Sequence, residues 1–275
     1  MANDTVFLGA LGSGSSGNAY VIEYQDESLI IDQGFSRKEL LKRMESAGFV
    51  PEKLRGALLT HEHSDHCKGS RVFCDALSLP LYTTARTARY LSVHGTLPRQ
   101  VHSFEAGEAF NLGNFAIKSF SLPHDAVDPV GFQISCGDVR IGIATDFGHA
   151  PEHIRRELRG CHALVLESNY DREMLMNSNR RLELKRRIFG VRGHLGNWES
   201  CQLLPDLIDE RTQLLLLAHI SSECNTPELV RENCRCALQM LDQENKPHFE
   251  ILSQDTPSAR FEISGSVLCR EAINE

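Results

Sequence analysis

Two β-sheets packed face to face with helices outside them, an α/β sandwich rather than a doubly wound parallel sheet, is the fold class this 275-residue sequence predicts. Three observations predict it. The first strand-like runs lie close enough together to pair antiparallel. The later ones alternate with amphipathic stretches of helical spacing, as parallel pairing through crossovers requires. No low-complexity linker and no internal repeat divides the chain, so residues 1–275 read as a single domain.

In order, VFLGAL, AYVIEY and SLIID are short apolar runs separated by turn residues and read as the first strands. SRKELLKRMESAG has Leu40, Leu41 and Met44 on one face, Ser36 as N-cap and Gly48 as stop, which is the pattern of a helix. LRGALLT is the next strand. After it come a helix over HCKGSRVFCDALS, strand LPLYTT, helix ARTARYLSVHG and strand NFAIKSFSLPH. The second half repeats this grammar with strands VGFQISC and VRIGIATD, helix PEHIRRELRG and strand HALVLESN. Two helical stretches over 171 to 209, strand QLLLLAHIS, helix PELVRENCRCALQML and strand FEILSQ complete it.

The formal charge of −8 excludes a surface that grips nucleic acid all round, but not a local basic groove. The start, MANDTVFLGALG, carries no cationic or apolar leader pattern, so no secretory signal is expected. No apolar run approaches the ~20 residues of a membrane span. Nine cysteines, an odd number without CxxC pairs, point to reduced and mostly buried thiols in a cytoplasmic protein, not to a disulfide frame.

The chemistry concentrates in LLTHEHSDHCKG, where His61, His63, Asp65 and His66 fall within six positions behind an apolar strand. No packing rule calls for that density of imidazole and carboxylate, whereas first-row divalent metals bind both. Alternation at 61, 63 and 65 points one set of side chains the same way, and Asp65 and His66 at a helix start can serve a second centre. More ligands must come from elsewhere. His124 in SLPHD, Asp146 in IATDFG and His219 in LLLAHIS each close an apolar strand, where a packed sheet delivers side chains to a common edge.

This set, HxHxDH followed by His124, Asp146 and His219, resembles the metallo-β-lactamase superfamily. The resemblance implies a four-layer αββα sandwich with a dinuclear site at one edge of the paired sheets. It also implies that His61, His63 and His124 hold one metal, that Asp65, His66 and His219 hold the other, and that Asp146 bridges. Zinc, manganese and iron all suit such ligands.

Within the superfamily, His63 stands where flavodiiron oxygen reductases typically have an acidic residue, and the chain has no room for their flavin domain. Thioesterases of the glyoxalase II kind share all the ligands and stay open as an alternative. Three stretches resemble instead the YycJ-type (VicX- or WalJ-like) bacterial hydrolases: GSGSSGNAYVIE, ESNYDREML…RRLELKRRIFGVRGHLGN and LLLAHISSECNTPELV. That resemblance implies a phosphodiesterase acting on nucleic acid, DNA rather than RNA, as an exonuclease working from a 5′ end.

Several residues follow as candidates for substrate. Ser15, Ser16 and Asn18 lie in a Gly/Ser turn whose backbone N–H groups can face an anion. His194 precedes a helix for which Asn197 reads as N-cap, with Trp198, Cys201, Leu204, Leu207 and Ile208 at helical spacing. Arg180, Arg181, Lys185, Arg186, Arg187 and Arg192 form a basic run opposed only by Glu183. Arg186 and Arg187 are expected to hold phosphates away from the reacting one. Asp65 is expected to orient the attacking water, and His194 to bind the phosphate or protonate the leaving oxygen. His149 competes with His194 for that role.

Overall fold

The computed structural model describes residues 5–241 and 246–265, and the backbone of 270–271. The first sheet starts as an antiparallel meander of β1 (Thr5–Gly12), β2 (Ala19–Tyr24) and β3 (Glu27–Ile31). Helix α1 (Arg37–Ser46) then carries the chain across to β4 (Leu54–Leu58), which pairs parallel to β3. Helices α2 (Ser64–Cys67) and α3 (Ser70–Leu77) lead to β5 (Leu81–Thr84), and α4 (Ala85–Val93) leads to β6 (Val101–Phe104), each strand parallel to the one before.

The second sheet repeats the scheme. An antiparallel meander of β7 (Ala109–Leu112), β8 (Phe115–Ser121), β9 (Val130–Cys136) and β10 (Val139–Ala144) opens it. After α5 (Glu152–Leu158), β11 (Ala163–Glu167) pairs parallel to β10. Three helices, α6 (Arg172–Asn177), α7 (Leu182–Phe189) and α8 (Asn197–Leu207), precede β12 (Leu214–Ala218). Helix α9 (Pro227–Gln239) precedes β13 (His248–Ile251), and β12 and β13 extend the parallel half. The chain then returns to the first sheet, where β14 (Phe261–Ser264) lies antiparallel to β1 and β15 (Arg270–Glu271) edges it.

Alternation of side chains builds the layers. Ala163 and Val165 of β11 and Leu214 and Leu216 of β12 enter the core between the sheets, with Leu8, Ile22, Ile31 and Phe132. Leu164, Leu166, Leu215 and Leu217 point the other way, under α5, α8 and α9, with Leu158, Leu204 and Val230. Strands buried on both faces must be apolar throughout, which is why ALVLE and LLLLA read as unbroken runs. Helices α1, α3 and α4 cover the outer face of the first sheet through Leu40, Met44, Phe73 and Leu91. The result is the four-layer αββα arrangement.

Some elements depart from expectation. The helix over 66 to 78 is two helices, because Gly69 interrupts it where the chain presses on Phe35. A Cβ at Gly69 would lie 1.9 Å from the Phe35 carbonyl oxygen. The span 171 to 209 holds three helices, not two. Gly196 takes the N-cap position of α8 and Asn197 is its first residue. Strands β6 and β7 were not foreseen, being short and largely exposed. No helix among the described residues is long and apolar enough to cross a membrane.

One edge of the sandwich matters most. Asp32, His61, His124, Asp146 and His219 all lie within three residues of the ends of β3, β4, β8, β10 and β12, and Glu167 closes β11.

Candidate metal centre and active site

The HxHxDH turn is pressed against the β3 end so tightly that only glycine fits opposite it. A Cβ on Gly34 would lie 1.7 Å from the Asp65 carbonyl oxygen. That same oxygen accepts the Asn18 backbone N–H at 2.7 Å, and the His66 carbonyl accepts that of Gln33 at 2.7 Å. The loop is therefore fixed at both flanks, and its side chains project toward the neighbouring strand ends.

The seven predicted ligand residues meet there. His61, His63 and His124 form one group whose donor atoms lie within 4.8 Å of one another, and Asp65, His66 and His219 form a second. Nε2 of His124 is 3.3 Å from Nδ1 of His63. Nε2 of His219 is 3.2 Å from Oδ2 of Asp65, and Nε2 of His66 is 3.5 Å from the same oxygen. Asp146 lies between the groups, with Oδ2 2.9 Å from Nε2 of His66 and Oδ1 3.4 Å from Nε2 of His219 and 4.0 Å from Nε2 of His124.

The backbone turns sharply to deliver two of these side chains and a neighbouring acid. Asp32, Asp146 and His219 have φ of 58°, 63° and 57°, in the left-handed region. Each residue follows an extended strand and bends the chain at once, so its side chain turns back across the sheet edge. Ser13 fixes one bend from outside, its hydroxyl accepting the His219 backbone N–H at 2.8 Å.

A layer of buried partners orients the imidazoles. Oδ2 of Asp32 lies 2.6 Å from Nδ1 of His66. Its Oδ1 accepts the Thr60 backbone N–H at 2.9 Å. Nδ1 of His61 meets the Thr60 hydroxyl at 3.0 Å, and that hydroxyl donates to Asp32 at 3.0 Å. Satisfying all of these requires His61 to carry its proton on Nδ1, leaving the Nε2 lone pair toward the cluster. His124 uses Nδ1 on the Gly193 carbonyl at 3.0 Å, Nδ1 of His219 lies 3.4 Å from Oε1 of Glu167, and Asn169 donates its amide to the His219 carbonyl at 2.7 Å. Holding the far nitrogen of each imidazole in this way is how proteins aim metal ligands. Asp32, Thr60, Asn169 and Glu167 were not among the sequence candidates, although Asp32 and Glu167 end apolar strands as Asp146 does.

The donor set fits a divalent metal. Nε2 of His61 is buried and makes no hydrogen bond among the described residues. An orphaned buried lone pair is costly unless a cation receives it. Burial, then the nearby His66, push the His61 imidazole well below its ordinary value, so the ring is neutral and can offer a lone pair to a cation. Burial would also lower His66, but Asp146, Asp32 and Asp65 outweigh it and raise that imidazole well above its usual range. Metal ions compete with such protons for the same lone pairs, so metal uptake here releases protons.

Comparison with known proteins agrees with this geometry. Residues 28–220 match the β-lactamase superfamily domain. Exodeoxyribonuclease YycJ of Bacillus anthracis is 32% identical over 223 residues, covering 80% of this chain and 84% of its own. The chain belongs to the metallo-β-lactamase superfamily, in its YycJ-like branch. Exodeoxyribonuclease WalJ of Streptococcus pneumoniae is 31% identical over 259 residues, covering 92% of this chain and 96% of its own. The fold is shared with the metallo-β-lactamase fold protein YhfI of Bacillus subtilis, with a TM-score of 0.69 at 17% identity over 93% of this chain and 99% of that one.

In this YycJ-like chain the cluster opens into a cleft of about 270 Å³, lined on the solvent side by Ser15, Ser64, Arg187 and His194. Nδ1 of His194 lies 2.7 Å from Oε1 of the fully buried Glu167 and 3.4 Å from Oδ1 of Asp146. Burial would depress this imidazole, and Glu167 outweighs it and raises it. His149 is exposed, sets Nδ1 against the Val191 carbonyl at 2.9 Å, and does not line this cleft.

Other substrate candidates are placed differently from expectation. Of the Gly/Ser turn only Ser15 reaches the cleft. Ser16 donates its N–H to Gln254 at 2.8 Å, which takes that amide away from any anion. Asn18 is fully buried, with Oδ1 on the Gly14 N–H and Nδ2 3.1 Å from Nε2 of His66, so it packs against the cluster and does not line the cleft. Asn197 is buried too, its amide bonded to Ser168 and Asn225. The basic run is not a continuous track. Arg180 pairs with Glu223, Lys185 donates to the Met176 carbonyl, and Arg192 grips the His124 carbonyl at 2.9 and 3.0 Å. Arg187 pairs with Asp125 and lines the cleft itself, rather than standing away from the reacting centre. Arg186 remains exposed.

Proposed function

We propose that this chain is a metal-dependent exodeoxyribonuclease acting from the 5′ end of DNA, with two divalent ions drawn from zinc, manganese or iron. His61, His63 and His124 would hold one ion, Asp65, His66 and His219 the other, and Asp146 both. Two such ions, when bound, would lower the pKa of water and neutralise phosphate oxygens. The names of the YycJ and WalJ relatives favour DNA as substrate.

The observation that carries the reading is the pairing of Glu167 with His194 beside Asp146, in a cleft that also holds Arg187. Glu167 accepts the Nδ1–H of His194, so Nε2 is the atom left for substrate. A proton on Nε2 is placed to pass to the leaving oxygen. Arg187, tethered by Asp125, offers its remaining N–H groups to a non-bridging phosphate oxygen. Asp65 lines the cleft beside its ligand role and is the carboxylate placed to take a proton from attacking water.

Metal analysis followed by digestion of DNA labelled separately at each end tests this. About two metals per chain and release of the 5′ label first are expected. Rapid thioester turnover alongside inert DNA would overturn the reading.

A further inference from the structure

A second cavity of about 270 Å³ adjoins the metal cleft without sharing a lining residue with it. The two have a common wall. Asp146 and His194 face the cleft, while His149 and Leu195, a few residues on, face the second cavity. His149 is tied to the Val191 carbonyl, so the wall is closed by a hydrogen bond as well as by the chain.

The floor of this cavity is built from the exposed face of α8. Cys201, Leu204 and Leu207 of that helix are buried, as their spacing predicts. Trp198, on the same helix, points outward and is 63% exposed. Gln202 lies one turn further along the same face, also exposed and with no hydrogen bond among the described residues. An indole face is thus presented beside a free amide. Arg155 stands at the side, its guanidinium fixed by Asp206 at 2.7 Å and the Ala150 carbonyl at 2.9 Å.

We propose that this cavity is a nucleobase subsite, in which a base of the substrate strand stacks on Trp198 with its edge against Gln202. The inference rests on the exonuclease reading above. A flat heteroaromatic ring with a hydrogen-bonding edge, joined to a phosphate lying a short distance away across the His194–Leu195 wall, is what these groups fit. Stacking on an aromatic face tolerates any base, as an enzyme that degrades strands of any sequence requires. The Gln202 amide can rotate to offer either a donor or an acceptor to the base edge.

Trp198 is the one tryptophan of the chain, so its fluorescence reports directly on the cavity. The metal-loaded protein is titrated with a short phosphorothioate-linked oligothymidylate, and separately with an abasic oligomer of equal charge. Quenching by the first and not by the second is expected. Trp198→Ala should raise KM for single-stranded DNA by roughly 5- to 100-fold, more than it lowers kcat, and Trp198→Phe should recover most of that. Equal responses to the two oligomers, or DNA cleavage with no quenching, would overturn the subsite and leave the exonuclease reading standing. A fluorescence change that follows protein concentration and ignores DNA would assign the face to a second copy of the chain and also overturn it. DNA neither bound nor cut would remove both proposals together.

Discussion

Oε1 of Glu167 lies 2.7 Å from Nδ1 of His194, while its Oε2 accepts the backbone N–H groups of Phe147 at 3.0 Å and Leu195 at 3.2 Å. The carboxylate is locked, and it locks the imidazole. His194→Ala should slow DNA hydrolysis on the order of 10²- to 10⁴-fold. With bis-p-nitrophenyl phosphate the loss should be smaller, because p-nitrophenolate leaves without a proton. Glu167→Gln should act chiefly through the same imidazole, so, with excess metal to offset its 3.4 Å contact with His219, the double variant should be no slower than His194→Ala alone. Additive losses would separate the two residues.

Asp146 touches both ligand groups. Asp146→Ala should lose activity together with much of the metal, as measured by elemental analysis of the purified chain. Full occupancy and full rate in that variant would remove Asp146 from the site.

Asp32 touches no metal-facing atom, yet it fixes His66 directly and His61 through Thr60. Asp32→Asn should weaken metal binding by about 10- to 100-fold while leaving the ligand count intact. Activity should return as free metal is raised. A defect that excess metal cannot repair would place Asp32 in the chemistry instead.

Arg187 and Arg186 are neighbours with different surroundings, one on the cleft with Asp125 and one exposed. Arg187→Ala should slow a small phosphodiester as well as DNA. Arg186→Ala should act through DNA affinity and reduce the salt slope of binding by about 0.7 per lost phosphate contact. Reversal of the two phenotypes would contradict their placement.

The cysteines should be dispensable. All eight described cysteines are free thiols, and none belongs to a ligand group. Cys269 lies outside the described residues. Cys67, beside the HxHxDH turn, donates its Sγ–H to the Glu62 carbonyl. Cys67→Ser should therefore keep its metal. Loss of metal from a folded Cys→Ser variant would show that the ligand set is incomplete.

The residues that meet at the sheet edge were legible because their chemistry is improbable elsewhere. Three histidines and an aspartate in six positions have no packing reason, and His124, Asp146 and His219 each end an apolar strand. Asp32 and Glu167 end apolar strands too, but a terminal acid also suits an ordinary solvated turn. Only their distant partners, His66 and His194, distinguish them. The basic run misled for the same reason. Its charges are spaced like a solvated track, while Glu223, the Met176 carbonyl and the His124 carbonyl, which occupy them, are remote in sequence or hidden by folding. The helical spacing around Trp198 was legible, but not that α8 buries a face rotated away from it. Edge strands β6 and β7, with little to bury, left little pattern to read.

The left-handed bends at Asp32, Asp146 and His219 reach beyond geometry. That backbone region is tolerated best by glycine and, among residues with side chains, by asparagine, aspartate and histidine. A β-branched or bulky replacement at any of the three positions would meet a penalty on the order of 1–3 kcal/mol before its side chain was tested for anything. Apart from glycine, the residue types that pass this filter can donate lone pairs to a cation. Mutational drift at these strand ends is thus channelled by the main chain toward potential ligands. Replacement of Asp146 by glycine would ease the bend while deleting the donor, giving a chain whose fold gains where its chemistry fails.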